Sequence, residues 1–397
     1  MRQPINGAAE AEGIFSMEQT VSIVACGGYG EEESARALRE VLAPLGGLSC
    51  VRAGMRVGIK VNLVSALRPE AAATTHPALL SALVRLLRER GAEVVVGDSP
   101  GGVFTLPYLH KVYRTTGMDA VAAAGAVLNE NVEAREATFP EAYAAHTFRY
   151  TAWLDDCDLL INFCKLKTHG MMGMSCAAKN LFGCVPGTTK PEYHFRFPEP
   201  ERFSDMILDL NRYFRPALCI VDAVVGMEGN GPTAGTPRPI GALLASADPH
   251  ALDLVCASLI GLAPEDVPTL AAARRHGLIP ATAAEVRVCG DPAAFALSDY
   301  QIVTVRRSML FAGRGGAFGR MFSVTAGRLL RSRPHPQRSC IGCGKCRDIC
   351  PAHAIEIKGG RAKIHRKNCI RCFCCQEFCP IGAMTVQRTL VARMLSK

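Results

Sequence analysis

Near the end of the chain one cysteine run occurs twice: CIGCGKCRDICP (340–351) and CIRCFCCQEFCP (369–380), each C-x2-C-x2-C-x3-C-P. Nothing else in the sequence restricts folding so strongly. Three thiols on one tight loop can grip one side of a metal centre, and the fourth ligand must approach from elsewhere. Pro351 and Pro380 turn the chain after each run, and AIEIKGGRAKIH (354–365) reads as a hairpin with Gly359-Gly360 at its tip. Of eighteen cysteines, nine lie between Cys340 and Cys379. Cysteines at ligand spacing, with no basic-then-apolar leader in the first 16 residues, predict reduced thiols and a cytoplasmic chain.

This spacing is that of bacterial two-cluster ferredoxins, in which the fourth cysteine of each run ligates the other cluster. It predicts two 4Fe–4S clusters, one on Cys340, Cys343, Cys346 and Cys379, the other on Cys369, Cys372, Cys375 and Cys350. A zinc site is the competing reading; duplication, spacing and both prolines weigh against it. Cys374 is extra and is read as an unligated neighbour, with ligand exchange with Cys375 as the alternative. Two neighbouring clusters move single electrons. The region preceding them is therefore either the electrons' destination or a docking platform.

That region is long enough to be a domain of its own. The chain has 397 residues, 49% of them apolar, with a single Trp, which suits an Ala/Val/Leu-rich α/β protein. Its longest uncharged apolar run, AVAAAGAVL (120–128), is far too short to span a bilayer. Strand-like and helix-like segments alternate over residues 20–300. VSIVAC (21–26), RVGIKVNLV (56–64), AEVVVGDSPGG (92–102, with its strand ending in the DSPGG loop), CDLLINFC (157–164), PALCIVDAVVG (216–226), IGALLASAD (240–248) and EVRVCGD (285–291) read as strand segments. PALLSALVRLLRERG (77–91) and DPHALDLVCASLIGL (248–262) read as helices, the second with Asp248 as N-cap and Pro249 behind it. The rhythm predicts an α/β fold, a largely parallel sheet with helices on both faces, followed by a small ferredoxin-like α+β domain. The divisions expected are a tail (1–19), the α/β domain (20–300), an Arg-rich connector (301–334) and the ferredoxin domain (335–390).

The formal charge of +9 falls by about four units if two oxidised clusters with their thiolates each carry about −2. The remaining excess is local, since residues 301–339 hold eight arginines and no Asp, Glu or Lys. A solvated linker is the simplest reading, with an acidic partner or a membrane surface as alternatives. No aromatic–basic module accompanies the arginines, so nucleic acid is not expected.

Ligands of open α/β sheets bind outside the carboxyl ends of the strands. The loops there are NLVSALRP, DSPGG, KLKTHG and GMEGNGPTAG, and no G-x-G-x-x-G or Walker loop is placed among them. In KLKTHGMMGMSCAAKNLFG (165–183), Lys165, Lys167, His169 and Lys179 come out of a core strand into a small-residue loop. Clustered cations there suit a carboxylate, a phosphate or a carbonyl oxygen gaining charge during reduction. Lys60 and Asn62 alternate on one strand face and point toward the same place. His76 is either a site residue or a helix cap, and DSPGG either a turn or an anion-binding nest. Cys164, Cys176 and Cys184 match no metal pattern, and the methionines of the loop are read as packing.

Taken together, GIKVNLV (58–64), TTHP (74–77), GDSPGG (97–102), KLKTHGMMGMSCAAKNLFGCVPG (165–187), VDAVVGMEGNGPTAG (221–235) and DPHALD (248–253) resemble the family called domain of unknown function 362, often joined to ferredoxin modules. The resemblance implies an architecture, not a reaction. More loosely, THGMMGMSCAAKNLFGCVPG is similar to the strand-loop-helix of nickel-dependent lactate racemases. That similarity implies an acid/base role for His169 and an anchoring role for Lys179. The nearest counterpart of a later histidine ligand is His194. It points to a similar site position, not to the nickel cofactor.

The expected function is an iron–sulfur oxidoreductase. Electrons from a donor such as a ferredoxin or flavodoxin cross both clusters and reduce a small anionic or carbonyl-bearing substrate. His169 supplies a proton, Lys167 and Lys179 hold negative charge, and Lys60, Asn62, His76, Asn180 and His194 help bind the substrate. The alternatives are an electron-transfer or assembly protein that docks a partner enzyme, and a redox-neutral, racemase-like enzyme with regulatory clusters.

Overall fold

The computed structural model describes residues 19–187, 189–302 and 332–387. Most of the expected tail and of the Arg-rich connector lies outside them. The α/β part carries strands β1 (Val21–Ala25), β2 (Arg56–Lys60), β3 (Glu93–Gly97), β4 (Val127–Leu128), β5 (Ala134–Thr138), β6 (Thr147–Thr151), β7 (Leu159–His169), β8 (Gly173–Ser175), β9 (Leu218–Glu228), β10 (Thr236–Ser246) and β11 (Val288–Cys289). Its helices are α1 (Glu31–Leu42), α2 (Pro77–Glu89), α3 (Leu106–Thr116), α4 (Met118–Ala123), α5 (Ala177–Asn180), α6 (Lys190–Arg196), α7 (Pro200–Phe214), α8 (Pro249–Leu259) and α9 (Pro268–Arg275).

The main sheet runs β11-β1-β10-β9-β7-β2-β3-β4, with β8 paired to β7 beside this path. The pairs β2–β3, β2–β7, β3–β4, β7–β9 and β1–β11 are parallel, and β10 lies antiparallel between β1 and β9. The sheet is thus mostly parallel but mixed. The sequence reading put GMEGNGPTAG in a loop beyond a parallel strand. In the structure Gly226–Glu228 extend β9, and the remainder turns directly into the antiparallel β10.

Central β7 is buried along its whole length, as a strand covered on both faces must be. Gly58 and Gly97 leave space on one face for Trp153 and Cys157: a Cβ at Gly97 would overlap the Trp153 ring, and one at Gly58 the Cys157 sulfur. Helix α2 presents Leu79, Leu80, Leu83, Val84 and Leu87 to one large core and exposes its polar stripe. Each such side chain contributes about 1.5–3 kcal/mol by leaving water. The caps follow sequence chemistry: Asp248 accepts from the amides of His250 (2.7 Å) and Ala251 (3.2 Å) at the start of α8.

The cysteine-rich part has its own small core, built from Cys346, Ile355, Ala362, Cys375 and Met384. Its elements are β12 (Arg333–Pro336), α10 (Lys345–Asp348), β13 (Ile355–Lys358), β14 (Arg361–Ile364), α11 (Cys374–Glu377) and β15 (Met384–Gln387). Strands β13 and β14 form the expected hairpin around Gly359-Gly360, and β12 pairs antiparallel with β15. Among the described residues no helix is long and apolar enough to cross a membrane.

Candidate functional site

The carboxyl ends of β2, β3 and β7 open on a pocket of about 60 Å³. Lys60 ends β2, Asp98 and Ser99 follow β3, Lys167 comes from β7, and Lys179 and Asn180 close α5. The remaining wall comes from the other part of the chain: Glu377 and Phe378 lie beside α/β residues Lys190, Gly183 and Pro232.

Burial forces the polar groups here to find partners. Lys60 Nζ donates to Val61 O at 2.6 Å and lies 2.8 Å from Asp98 Oδ1, while Asp98 Oδ2 accepts from the Leu63 amide at 2.7 Å. Lys167 Nζ donates to Asn62 Oδ1 (2.7 Å) and to Ala73 O (2.5 Å). Asn62 Nδ2 donates to Asn180 Oδ1 at 2.9 Å, and Asn180 Nδ2 to Asn162 Oδ1 at 2.7 Å. Lys190 Nζ donates to Ser99 O. Lys179 has no hydrogen-bond acceptor among the described residues, and its ammonium stands over Phe182, 5.9 Å from the ring centroid. Burial, then repulsion from Lys179, pushes the Lys167 ammonium down to about 7. Burial likewise lowers Lys190 to about 8, and it lowers Lys179.

Several expected site residues stand elsewhere. The sequence reading placed Lys165, Lys167 and His169 in a loop, but β7 runs on through His169. Lys165 serves a separate network: its Nζ lies 2.6 Å from Asp222 Oδ2 and donates to Tyr29 Oη at 2.9 Å. His169 is fully buried and is absent from the pocket lining. Its Nδ1 accepts from the amides of Met171 (3.1 Å) and Met172 (3.2 Å), so the ring hydrogen sits on Nε2 and donates to Glu377 Oε1 at 2.7 Å. Burial first, then Lys179, lowers this imidazole to about 4. A neutral, doubly engaged ring does not fit the expected role of proton donor.

His76 is a cap: its Nδ1 accepts from the Ala78 amide at 3.3 Å and its ring stacks on Tyr29 at 3.5 Å. His194 is buried against Phe203 with ring centroids 4.4 Å apart and does not line the pocket. Asn180 and Asn62 do line it. The DSPGG loop turns its amides inward, Ser99 N to Gly183 O (3.1 Å) and Gly101 N to Val64 O (2.8 Å), which favours a turn over a nest.

The sequence reading missed Asp98, Lys190, Glu377 and Phe378. Glu377 and Phe378 lie within the x3 segment of the second cysteine run, where the first run has Arg347-Asp348-Ile349. Asp348 is exposed and pairs with Arg347 at 2.8 Å, whereas Glu377 reaches into the α/β part. The available signal was this asymmetry between two otherwise matched runs. Gln376 adds to the contact, with Nε2 donating to Asn230 O (3.0 Å), Asn230 Oδ1 (2.9 Å) and Gly231 O (2.9 Å). Phe373, Gln376 and Val386 press on Gly170, where no Cβ would fit.

The cysteines fit iron–sulfur ligation. Cys350, Cys369, Cys372 and Cys375, the crossed set expected from the spacing, line one cavity together with Cys374. Cys340, Cys346, Cys350, Cys375 and Cys379 pack around the small core. Amides point at the sulfurs as they do around bound clusters: Ala354 N to Cys350 (3.3 Å), Ala362 N to Cys340 (3.5 Å) and Ala383 N to Cys379 (3.2 Å). No three His, Cys, Asp or Glu side chains among the described residues converge as a single ion would require. A cubane differs in this respect, since its ligands stand at separate corners. Cys374 is buried and its thiol donates a hydrogen bond to the Cys372 sulfur.

The chain belongs to the DUF362 family, a domain of unknown function, whose description matches residues 57–258. A 4Fe-4S dicluster domain matches residues 339–383. A thylakoid-associated protein of Synechocystis is 35% identical over 273 residues, covering 68% of this chain and 83% of that protein. The lactate racemase apoprotein from Thermoanaerobacterium thermosaccharolyticum superposes with a TM-score of 0.38 at 13% identity, over 62% of this chain and 59% of the racemase. The chain thus spans less than two thirds of that protein. At this score the likeness carries no weight for function, and the racemase-like roles of His169, Lys179 and His194 gain nothing from it.

Proposed function

We propose that this DUF362 chain is an iron–sulfur reductase, in which electrons held on two 4Fe–4S clusters are used on a small oxidised substrate in the lysine-lined pocket. One observation carries the reading. Two residues of the pocket wall, Glu377 and Phe378, lie in sequence between Cys375 and Cys379, one ligand from each expected set. The ligand-bearing helix is itself part of the substrate chamber.

When bound, the clusters supply single electrons at low potential, two in all when both are reduced, which matches the two electrons and two protons that convert C=O to CH–OH. Lys167 and Lys179 hold the substrate's oxygen and the charge that develops on it. Lys167, poised near neutrality, donates one proton. Solvent reaching the pocket supplies the second. His169 acts through Glu377: its Nε2–H fixes that carboxylate and ties α11 to the end of β7. The electrons come from a reduced one-electron carrier protein such as a ferredoxin or flavodoxin. Its docking place is the first cysteine run, where Ile341 is 65% exposed and Cys343 is exposed. Exposed Arg338, Lys345 and Arg361 surround this run, which suits an acidic carrier.

The test is anaerobic. The cluster-loaded chain is reduced with dithionite, freed of reductant and mixed with 2-oxo acids while the paramagnetic signal of the reduced protein is followed. Reoxidation with formation of the hydroxy acid supports the reductase. Reoxidation only when a second protein is added favours the electron carrier that docks a partner enzyme, and ends this reading.

A further inference from the structure

The pocket's charges do not balance, and the imbalance bears on the class of ligand. Lys60 is matched by Asp98. Lys167, Lys179 and Lys190 make no ion pair with a carboxylate among the described residues, although each faces the pocket. Lys167 and Lys190 are held by carbonyl oxygens; Lys179 stands over the face of Phe182 and feels the attraction of Glu377 without a hydrogen bond to it among the described residues. The one other carboxylate in the wall is Glu377, whose Oε1 is taken by His169. Three cations facing one anion leave two positive charges. Lys167 is buried and Lys179 and Lys190 are half-buried, and Val64, Phe182, Pro232 and Phe378 make up much of the rest of the wall, so solvent screens these charges less than on an open surface.

We propose that this pocket binds a small dianion, a dicarboxylate or a phosphomonoester, whose two negative charges complete the lysine cluster. The proposal rests on the pocket being the substrate site. Size agrees, since about 60 Å³ holds only a handful of water-sized groups. Donors agree as well: Lys179 presents three N–H groups with no acceptor among the described residues, and Lys167 keeps one beyond its two hydrogen bonds. Ser175 and Asn180 line the same space and add neutral hydrogen-bonding groups. The lowered lysine pKa values agree, because desolvation outweighs the pull of Glu377 and Asp98 on these cations and an arriving dianion would restore their protonation. Gly183 keeps the space open, since a Cβ there would overlap Lys60 and Asp98.

The experiment is calorimetric titration of the oxidised, cluster-loaded chain. No electron transfer takes place, so its outcome is independent of the reductase reading. Probes are succinate and inorganic phosphate as dianions, acetate as the monoanion and succinamide as the neutral counterpart of succinate. We expect a dianion to bind at least about tenfold more tightly than acetate, and succinamide not to bind. Preference for succinate identifies the dicarboxylate, and preference for phosphate the phosphomonoester. Lys179→Ala should weaken the dianion about tenfold and acetate far less, with iron content and circular dichroism unchanged, and Lys179→Arg should recover part of the affinity. Equal affinity for acetate and both dianions, no binding of either dianion, or an indifferent Lys179→Ala variant overturns the proposal. Dianion binding without any reductive turnover leaves it standing and removes the reductase.

Discussion

Lys167 and His169 stand two residues apart on one buried strand, yet burial acts on them to different ends. It brings Lys167 to about 7, within range for proton transfer, and leaves His169 neutral to about 4. If Lys167 is the proton donor, kcat/KM for reduction falls as pH rises through about 7, because the ammonium is lost. Lys179 and Lys165 hold that value down, while Glu377 and Asp98 pull it up. Lys167→Arg should abolish this limb of the profile, and an unchanged limb would assign the proton elsewhere. The buried histidines predict a separate effect on stability. Burial lowers His76 to about 4, His169 to about 4 and His194 to about 3, against about 6.5 in an unfolded chain. From about pH 6.5 downward the unfolded state binds protons that the native state refuses, so stability falls as pH falls through that window. Denaturant unfolding at about pH 7 and about pH 5 checks this. His194→Phe keeps the stack on Phe203 and removes an Nδ1 that has no hydrogen-bond partner among the described residues, so it should flatten the slope. A slope equal to the parent's would mean that His194 titrates normally.

At the scale of elements, the two cysteine runs repeat one geometry with different residues. Helix α10 starts from Gly344 at φ 83°, and α11 from Phe373 at φ 64°. A left-handed backbone that glycine adopts freely costs a Phe about 1–2 kcal/mol. The cost is offset by the contact that Phe373 makes over Gly170 at the end of β7. Phe373→Gly should therefore relieve local strain and retain iron, yet loosen the seam between the two parts. Faster hydrogen exchange of the Val386 amide, which donates to Asn230 Oδ1 across the seam, is the expected readout, and unchanged exchange would leave the Phe unexplained. Gly183→Ala tests the pocket wall from the other side. Its Cβ must displace Lys60 from Asp98, for a loss of about 1–3 kcal/mol in stability on denaturant unfolding.

For the whole molecule, the pocket is a joint product of two cores. The α/β part has its own apolar clusters and the cysteine-rich part another, and the seam between them is carried mainly by Phe373, Gln376, Glu377, Phe378 and Val386. A chain ending before residue 332 should fold, since none of the large clusters draws on what is removed. It should lose reductive turnover and bind dianions more weakly, because the Glu377–Phe378 wall is gone. Aggregation of the truncated chain would mean that the seam stabilises the α/β part. Anaerobically reconstituted full-length protein should hold about eight irons and eight sulfides, and a value near four would leave one set of ligands unused.

The sequence alone determined what rests on short-range chemistry. The C-x2-C-x2-C-x3-C-P spacing marked the dicluster region, the Gly359-Gly360 hairpin lay between its two runs, and Asp248-Pro249 marked the start of α8. Apolar runs located the parallel strands because strands buried on both faces leave little room for polar residues. Tertiary structure decided the rest. His169 reads as a loop residue because nothing local says that β7 continues to meet β8, and its partner Glu377 lies 208 residues further on. Asp98, Lys190 and Glu377 carry no shared motif, and only folding brings them to one pocket. A cation in sequence has a charge and a neighbour; whether it has an acid partner is a question of distance in space. The three lysines without one became visible only when the chain was closed around them.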